Sequence, residues 1–307
     1  MIFIENNSHD AAYNLALEEY LLTNYRNGDI VMLWINSPSV ITGKFQNIYE
    51  EVSLLECRKR KVGVFRRNSG GGTVYHDGGN LNYTIITNRT SGTSYESFLA
   101  PLVSGLCSLG VPADIRGNAI FAGERKISGN AQSNMHGRVM HHGTLLFDTD
   151  LGMLGTLTGH ARQKIKSKAI KSQPSPVCNI SEYITELAME GFTSAVKGFL
   201  CEDKTVTHTL NAEEAAQVES LADKKYRTRG WIYGSSPAFD VNTNEKYGIK
   251  MHVSHGIIDS ASADAKDVRN AIAVLAGLEM MPEMLYASLS HTLPRDDADR
   301  IISEIFD

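Results

Sequence analysis

The sequence predicts an α+β protein: a mixed or antiparallel sheet with flanking helices, followed by a small α+β C-terminal unit. Three observations carry this. Apolar runs of strand length recur between segments with helical spacing. Residues 114–121, 125–132 and 138–147 read as successive strands with glycine-containing turns. A dense aromatic, glycine and proline segment, Trp231–Asp240, precedes a final stretch with strands and helices of its own.

The elements follow in order. Ser8-His9-Asp10 offers capping groups before a helix from Ala11 to about Asn24. Leu15, Leu17, Tyr20, Leu21 and Leu22 give that helix its apolar face, with Glu18 and Glu19 beside it. After the turn Asn27-Gly28-Asp29, residues 30–35 (IVMLWI) form a strand, and Val40-Ile41 begins another. A helix over 53–61 leads to a buried strand, Val62–Phe65. A further strand covers 80–87 and a helix covers 94–109, closed by Gly110. Helices are expected at 180–199 and 212–226. Strand-turn-strand over 246–258 and helices at 264–277, 281–288 and 296–305 complete the chain, which divides into 1–245 and 246–307.

The 307 residues are 42% hydrophobic and 21% charged, which argues against disorder. A formal net charge of -5 argues against chain-wide binding to nucleic acid. No run of about 18 apolar residues predicts a membrane span. The first residues, MIFIENNSHD, lack the pattern of a secretory signal. Four scattered cysteines (Cys57, Cys107, Cys178, Cys201) do not form a disulfide framework, so a reducing, cytoplasmic setting is expected.

The most unusual stretch is residues 66–77, RRNSGGGTVYHD. Consecutive glycines expose backbone N–H groups that cradle an anion and let a ligand approach the backbone. Two arginines just upstream add fork-shaped donors for phosphate or carboxylate. No Gly-Lys-Ser/Thr follows, as a Walker A loop requires, and the glycine spacing is not that of a dinucleotide fingerprint. Lys126, in RKISGNAQ, suits a strand lysine meeting developing phosphate charge, although a single lysine is more often a solvated edge residue. His141 and His142 are adjacent and so face opposite sides of a strand; with His76 and His136 they lack zinc-ligand spacing. Residues 164–179 hold four lysines and no acid, a solvated face or a contact for an acidic partner or nucleotide.

These motifs resemble lipoate–protein ligases, in the superfamily shared with biotin ligases and octanoyltransferases. The resemblance starts at NLALEEYLL (14–22) and PSVITGKFQ (38–46) and is strongest at RRNSGGGTVYHDGGNLNYT (66–84). It continues through RKISGNAQ, HHGTLLFDTDL (141–151), SQPSPVCNI (172–180) and WIYGSSPAF (231–239). It implies a biotin/lipoate-ligase-like catalytic domain over 1–245 and an accessory domain that shifts about a hinge at 242–247. It implies ATP-dependent activation of lipoate to lipoyl-AMP, then transfer to a lysine of an acceptor. That acceptor would be a glycine-cleavage H protein, an H-like protein or a 2-oxoacid dehydrogenase E2 lipoyl domain. Lys126 would hold the carboxyl and α-phosphate. Arg67, Gly70, Gly71, Gly72, Thr73, Val74, Tyr75 and Asn118 would lie along ATP or the adenylate. Gly72, His76, Lys126 and Gly143 would wall the lipoate pocket. Mg²⁺ would arrive with ATP, with no protein metal site. A monomer without nucleic-acid or membrane partners is implied.

The chain departs from the family at Gly117-Asn118-Ala119, where relatives often carry Arg-Asn-Asp, and at Pro174 and Pro176, where many carry arginines. A cysteine-dependent octanoyltransferase or lipoyl amidotransferase is the nearest rival, with Cys178 its one candidate thiol. A non-catalytic lipoate- or carrier-binding module is a third reading. The Gly-Arg-Gly-Arg signature of biotin ligases is absent.

Overall fold

The run Ile30–Trp34 is buried along its whole length because its sheet is covered on both faces. The computed structural model describes residues 1–158, 164–243 and 245–306. Its strands are β1 (Ile2–Glu5), β2 (Ile30–Trp34), β3 (Ser39–Thr42), β4 (Gly63–Arg66) and β5 (Val74–His76). Then come β6 (Asn80–Asn88), β7 (Ala113–Arg116), β8 (Ala119–Ala122), β9 (Arg125–Met135) and β10 (Arg138–Leu146). The last are β11 (Ile165–Ser167), β12 (Val206–Thr209), β13 (Phe239–Asn242), β14 (Ile249–Ser254) and β15 (Ile257–Ala263). A large mixed sheet runs β12-β1-β2-β6-β10-β9-β8-β7, parallel at β12-β1-β2 and antiparallel beyond. The expected α+β class therefore holds.

Alternation along the strands separates two cores. Phe3, Val31, Leu33, Tyr83 and Leu145 pack under the helices Tyr95–Ser108 and Met189–Leu200. Ile4, Ile30, Met32, Trp34 and Met140 face the helix Ala11–Asn24. Asp10 starts that helix as expected, its carboxylate accepting the Ala12 N–H at 2.8 Å. Glu18 does not lie beside the apolar face; it is buried within it.

A third core joins two smaller sheets, β4-β3-β5 and β11-β13-β14-β15, to the helices Pro282–Leu289 and Arg295–Phe306. Residues on both sides of position 245 share this sheet and core. The pairs Phe239↔Val253 to Asn242↔Lys250 form the ladder between β13 and β14. Asn244 of the expected hinge lies outside the described residues.

Several boundaries differ from expectation. Residues 114–121 fold as a hairpin, because Gly117 at φ +63° turns the chain between β7 and β8. The helix expected over 180–199 is a short turn, Ile180–Glu182, and a separate helix from Met189. Over 264–277 only Arg269–Ala273 is α-helical. Strands β1, β5, β11, β12 and β13 were not expected, being three or four residues long.

Candidate active site

A cleft of about 520 Å³ opens between the large sheet and the three-stranded sheet. β9 and β10 supply Lys126, Gly129, Asn130, Ala131 and His142–Thr144 to one wall. The segment after β4 supplies Arg67, Gly71, Gly72 and Thr73 opposite, and β5 adds Val74 and His76. Residues 170–175 complete the lining. Leu15, Trp34, Ile41 and Val74 make one end apolar, whereas Arg116, Asn118 and Lys126 make the other polar. No aspartate or glutamate lines the described cleft.

All the sequence-derived site residues meet here except Gly70 and Tyr75. Alternation along β5 sends Val74 and His76 to the cleft and buries the Tyr75 ring in the third core. Gly70 faces outward, where a β-carbon would touch the Phe45 ring at 3.6 Å.

The two arginines separate. Arg66 turns away from the cleft and is wholly buried. Its Nε donates to Ile232 O at 2.9 Å, Nη1 to Gln46 O at 2.8 Å and Nη2 to Ser236 Oγ at 2.9 Å. It is a clamp on the 43–46 turn, not an anion site. Arg67 reaches the cleft but commits most of its donors to the glycine loop. Nη2 donates to Gly70 O at 2.6 Å and Gly72 O at 2.7 Å, Nη1 to Ile41 O at 3.2 Å and Nε to Ser69 Oγ at 3.1 Å. The loop folds around this fork because Gly71 takes φ +88° and has no β-carbon, which would stand 2.9 Å from Nη2. Burial pushes Arg67 down to about 10, so it stays a cation at neutral pH.

Lys126, half-buried, is the second cation of the cleft. Burial, then the Arg67 charge, lowers its ammonium from the ordinary lysine value. A register shift aims it. Phe121 pairs with Lys126 and Ile120 with Ser128, so Ile127 is an extra residue and β9 kinks there. The 176–178 segment brackets it: Lys126 N–H donates to Pro176 O at 2.8 Å, and Cys178 N–H to Lys126 O at 3.2 Å. A buried and a half-buried cation without a facing carboxylate form a site for an anion.

Side chains missed in the sequence hold this geometry. Thr84 Oγ1 donates to Glu18 Oε1 at 2.6 Å, which lies 2.8 Å from His142 Nδ1; His142 Nε2 lies 2.6 Å from Ser69 Oγ. This chain runs from the first helix to the Arg67 loop. Tyr83 donates to Asn130 Oδ1, and Asn130 Nδ2 to Asn118 O at 3.1 Å. Asn118 thus braces β9 from the Gly117-Asn118 turn, and Ala119 beside it is buried. Ser172 Oγ accepts the Thr73 N–H and Gln46 Nε2, each at 3.0 Å. Spacing does flag Glu18, which stands three residues from Leu15 and four from Leu22 on one helix face; Ser172 and Asn130 carry no such mark.

The histidines divide as their adjacency implies. His142 meets the cleft, while His141 stacks on Phe98 at 4.6 Å between ring centres. Burial pushes His76 and His141 down to about 3, so both are neutral at physiological pH. The lysine-rich segment is not one face. Lys164 Nζ donates to Glu304 O at 2.6 Å, Lys171 pairs with buried Glu50 at 2.7 Å, and Lys166 and Lys168 are exposed.

The model of the lipoyl protein ligase A/B catalytic domain matches residues 10–200. The chain is 38% identical over 292 residues to lipoate–protein ligase 1 of Staphylococcus aureus, covering 89% of each. The chain belongs to the lipoate–protein ligase family. The chain is also similar to the human mitochondrial lipoyl amidotransferase LIPT1. It is 30% identical over 318 residues, covering 99% of this chain and 80% of that one. The crystal structure of lipoate–protein ligase A bound with ATP superimposes with a TM-score of 0.66 at 25% identity, over 76% of this chain and 98% of that one. No helix among the described residues of this family member is long and apolar enough to cross a membrane.

Proposed function

We propose that this chain is an ATP-dependent, AMP-forming lipoate–protein ligase. The observation that carries the reading is the pair of cations, buried Arg67 and half-buried Lys126, in a cleft with an apolar end and no acidic lining. The apolar end suits an acyl chain, and the cationic end suits a carboxylate beside a phosphate. In the first step a lipoate carboxylate oxygen attacks the α-phosphorus. A new O–P bond forms, the bond to the bridging oxygen breaks, and pyrophosphate leaves. In the second step the neutral acceptor amine attacks the acyl carbon. A C–N bond forms, the C–O bond to AMP breaks, and the nitrogen loses its proton. Lys126 and Arg67 contribute charge and orientation to both steps. Gly70, Gly71, Gly72, Thr73, Val74, Asn118 and the Tyr75 backbone are proposed as the nucleotide side. Gly72, His76 and Gly143 are proposed as the acyl wall. Mg²⁺ is proposed to enter on the triphosphate, whose oxygens supply its ligands.

The cysteine-dependent reading has little support. No cysteine lines the described cleft, and burial raises the Cys178 thiol, which sits in the core. The similarity to an amidotransferase keeps an ATP-independent transfer as the second reading. A cytoplasmic monomer acting on an H protein, H-like protein or E2 lipoyl domain completes the proposal. The test is lipoate-dependent ATP–pyrophosphate exchange, with Lys126→Ala as control. Exchange lost in the variant but present in the native chain supports the ligase. Acyl transfer without ATP and without exchange overturns it.

A further inference from the structure

Two of the large exposed apolar residues of this chain are neighbours at the mouth of the cleft. Phe45 is 53% exposed and Ile170 is 56% exposed, and the Ile170 N–H donates to Phe45 O at 3.3 Å. Ile170 also lines the cleft, so the patch is continuous with the opening. Phe45 lies at the outer side of the glycine loop, against Gly70. An exposed phenylalanine held on a rigid turn, with Arg66 clamping the turn from below, suits a contact surface better than a core.

The rim of the patch is basic. Lys44 Nζ stands 5.7 Å from the Phe45 ring centre, and exposed Lys168 lies two residues before Ile170. Neither lysine forms an ion pair among the described residues, on a chain whose formal net charge is -5. The carboxylates nearest this rim, Glu50 and Glu51, are buried beneath it. Glu50 pairs with Lys171 and Glu51 accepts the Ser172 N–H at 3.0 Å. The surface left to a partner is therefore apolar at its centre and positive at its edge.

We infer that Phe45, Ile170, Lys44 and Lys168 dock the acceptor protein through an acidic face beside its target lysine. The inference rests on the ligase reading, because only a protein acceptor has to sit at this mouth while its lysine enters the cleft. Apolar anchors set residence time, and the basic rim speeds and orients encounter. Small acceptors need neither.

The experiment uses the full chain, an isolated E2 lipoyl domain as acceptor, and hydroxylamine as a small nucleophile that needs no docking. Phe45→Ser and Lys168→Glu are both surface changes, and thermal unfolding checks that each variant stays folded. Each is expected to raise the KM for the lipoyl domain about fivefold or more. Exchange and hydroxylamine trapping of the adenylate should stay within about twofold of the native chain. Lys168→Glu should also flatten the salt dependence of transfer. An unchanged KM for the lipoyl domain, or equal losses with hydroxylamine, overturns the docking site. If the native chain shows no exchange, the ligase reading fails instead. Docking is then judged by direct binding of the lipoyl domain, where equal affinity of native chain and Phe45→Ser rejects it.

Discussion

The Lys126 ammonium rests on the bare α-carbon of Gly129: a β-carbon there would stand 2.9 Å from Nζ and 3.0 Å from Cε. Gly129 has an ordinary strand backbone, so Gly129→Ala adds a methyl without backbone strain. The flexible lysine, not the strand, must give way. The variant is expected to keep its thermal midpoint within a few degrees and lose about tenfold or more in adenylate formation. Native turnover in the exchange assay would show that the ammonium position is not critical.

Adjacent arginines should fail differently. Arg66→Met strands several buried acceptors, among them Ile232 O and Gln46 O, and is expected to cost roughly 3 kcal/mol or more of stability. Arg67→Lys keeps the charge but cannot bridge Gly70 O and Gly72 O with one fork. Its expected effect is mainly a loss of exchange activity. Chemical denaturation beside the exchange assay separates the two; a reversed pattern would refute the assignment.

Buried His76 and His141 make stability depend on pH. Each is pushed down to about 3 in the folded chain, against roughly 6.5 when unfolded. Below about 6.5 the unfolded chain therefore binds protons that the folded one does not. Stability is unaffected by this above pH 6.5 and falls as the pH drops from there toward 3, by at most about 1.4 kcal/mol per pH unit for each histidine. Denaturant midpoints at pH 7.5 and 5.5 measure the fall. His141→Phe, which keeps a ring against Phe98, is expected to make it shallower.

The division at residue 245 has a mechanical consequence. Truncation there removes β14 and β15 and leaves the edge of β13 bare. It also uncovers Tyr49, Phe239 and Val241, which share a core with Ile249, Met251 and Ile301. The 1–245 fragment is expected to bind a hydrophobic dye and to unfold at least about 10 °C below the full chain. A fragment as stable as the full chain would mean that the C-terminal part is a separate unit. Motion between the two parts is proposed to need more than a hinge at 242–247, since four ladder pairs cross that boundary.

Legibility followed locality. The first helix, β2, β6, β9 and β10 were readable because long periodic segments average out local ambiguity. Five short strands were not, since three or four residues carry too little pattern. The glycine loop and Lys126 stood out because RRNSGGGTVYHD and RKISGNAQ concentrate unusual residue types. Asn130 was overlooked inside the second motif itself, because its bond to Tyr83 spans 47 residues.

By itself, the sequence determined the α+β class, the family and the glycine-loop and Lys126 motifs that meet in the cleft. These depend on composition, periodicity and contiguous motifs, which a linear string preserves. Tertiary structure alone decided what those residues do. It turned Arg66 into a clamp, tied Arg67 to the loop carbonyls, buried Glu18 behind His142 and brought Phe45 to Ile170. Arg66, Glu18 and Phe45 meet partners far along the chain, whereas the glycine loop turns its own carbonyls back on Arg67. Burial withdraws the charges from water and commits them to the partners the fold supplies.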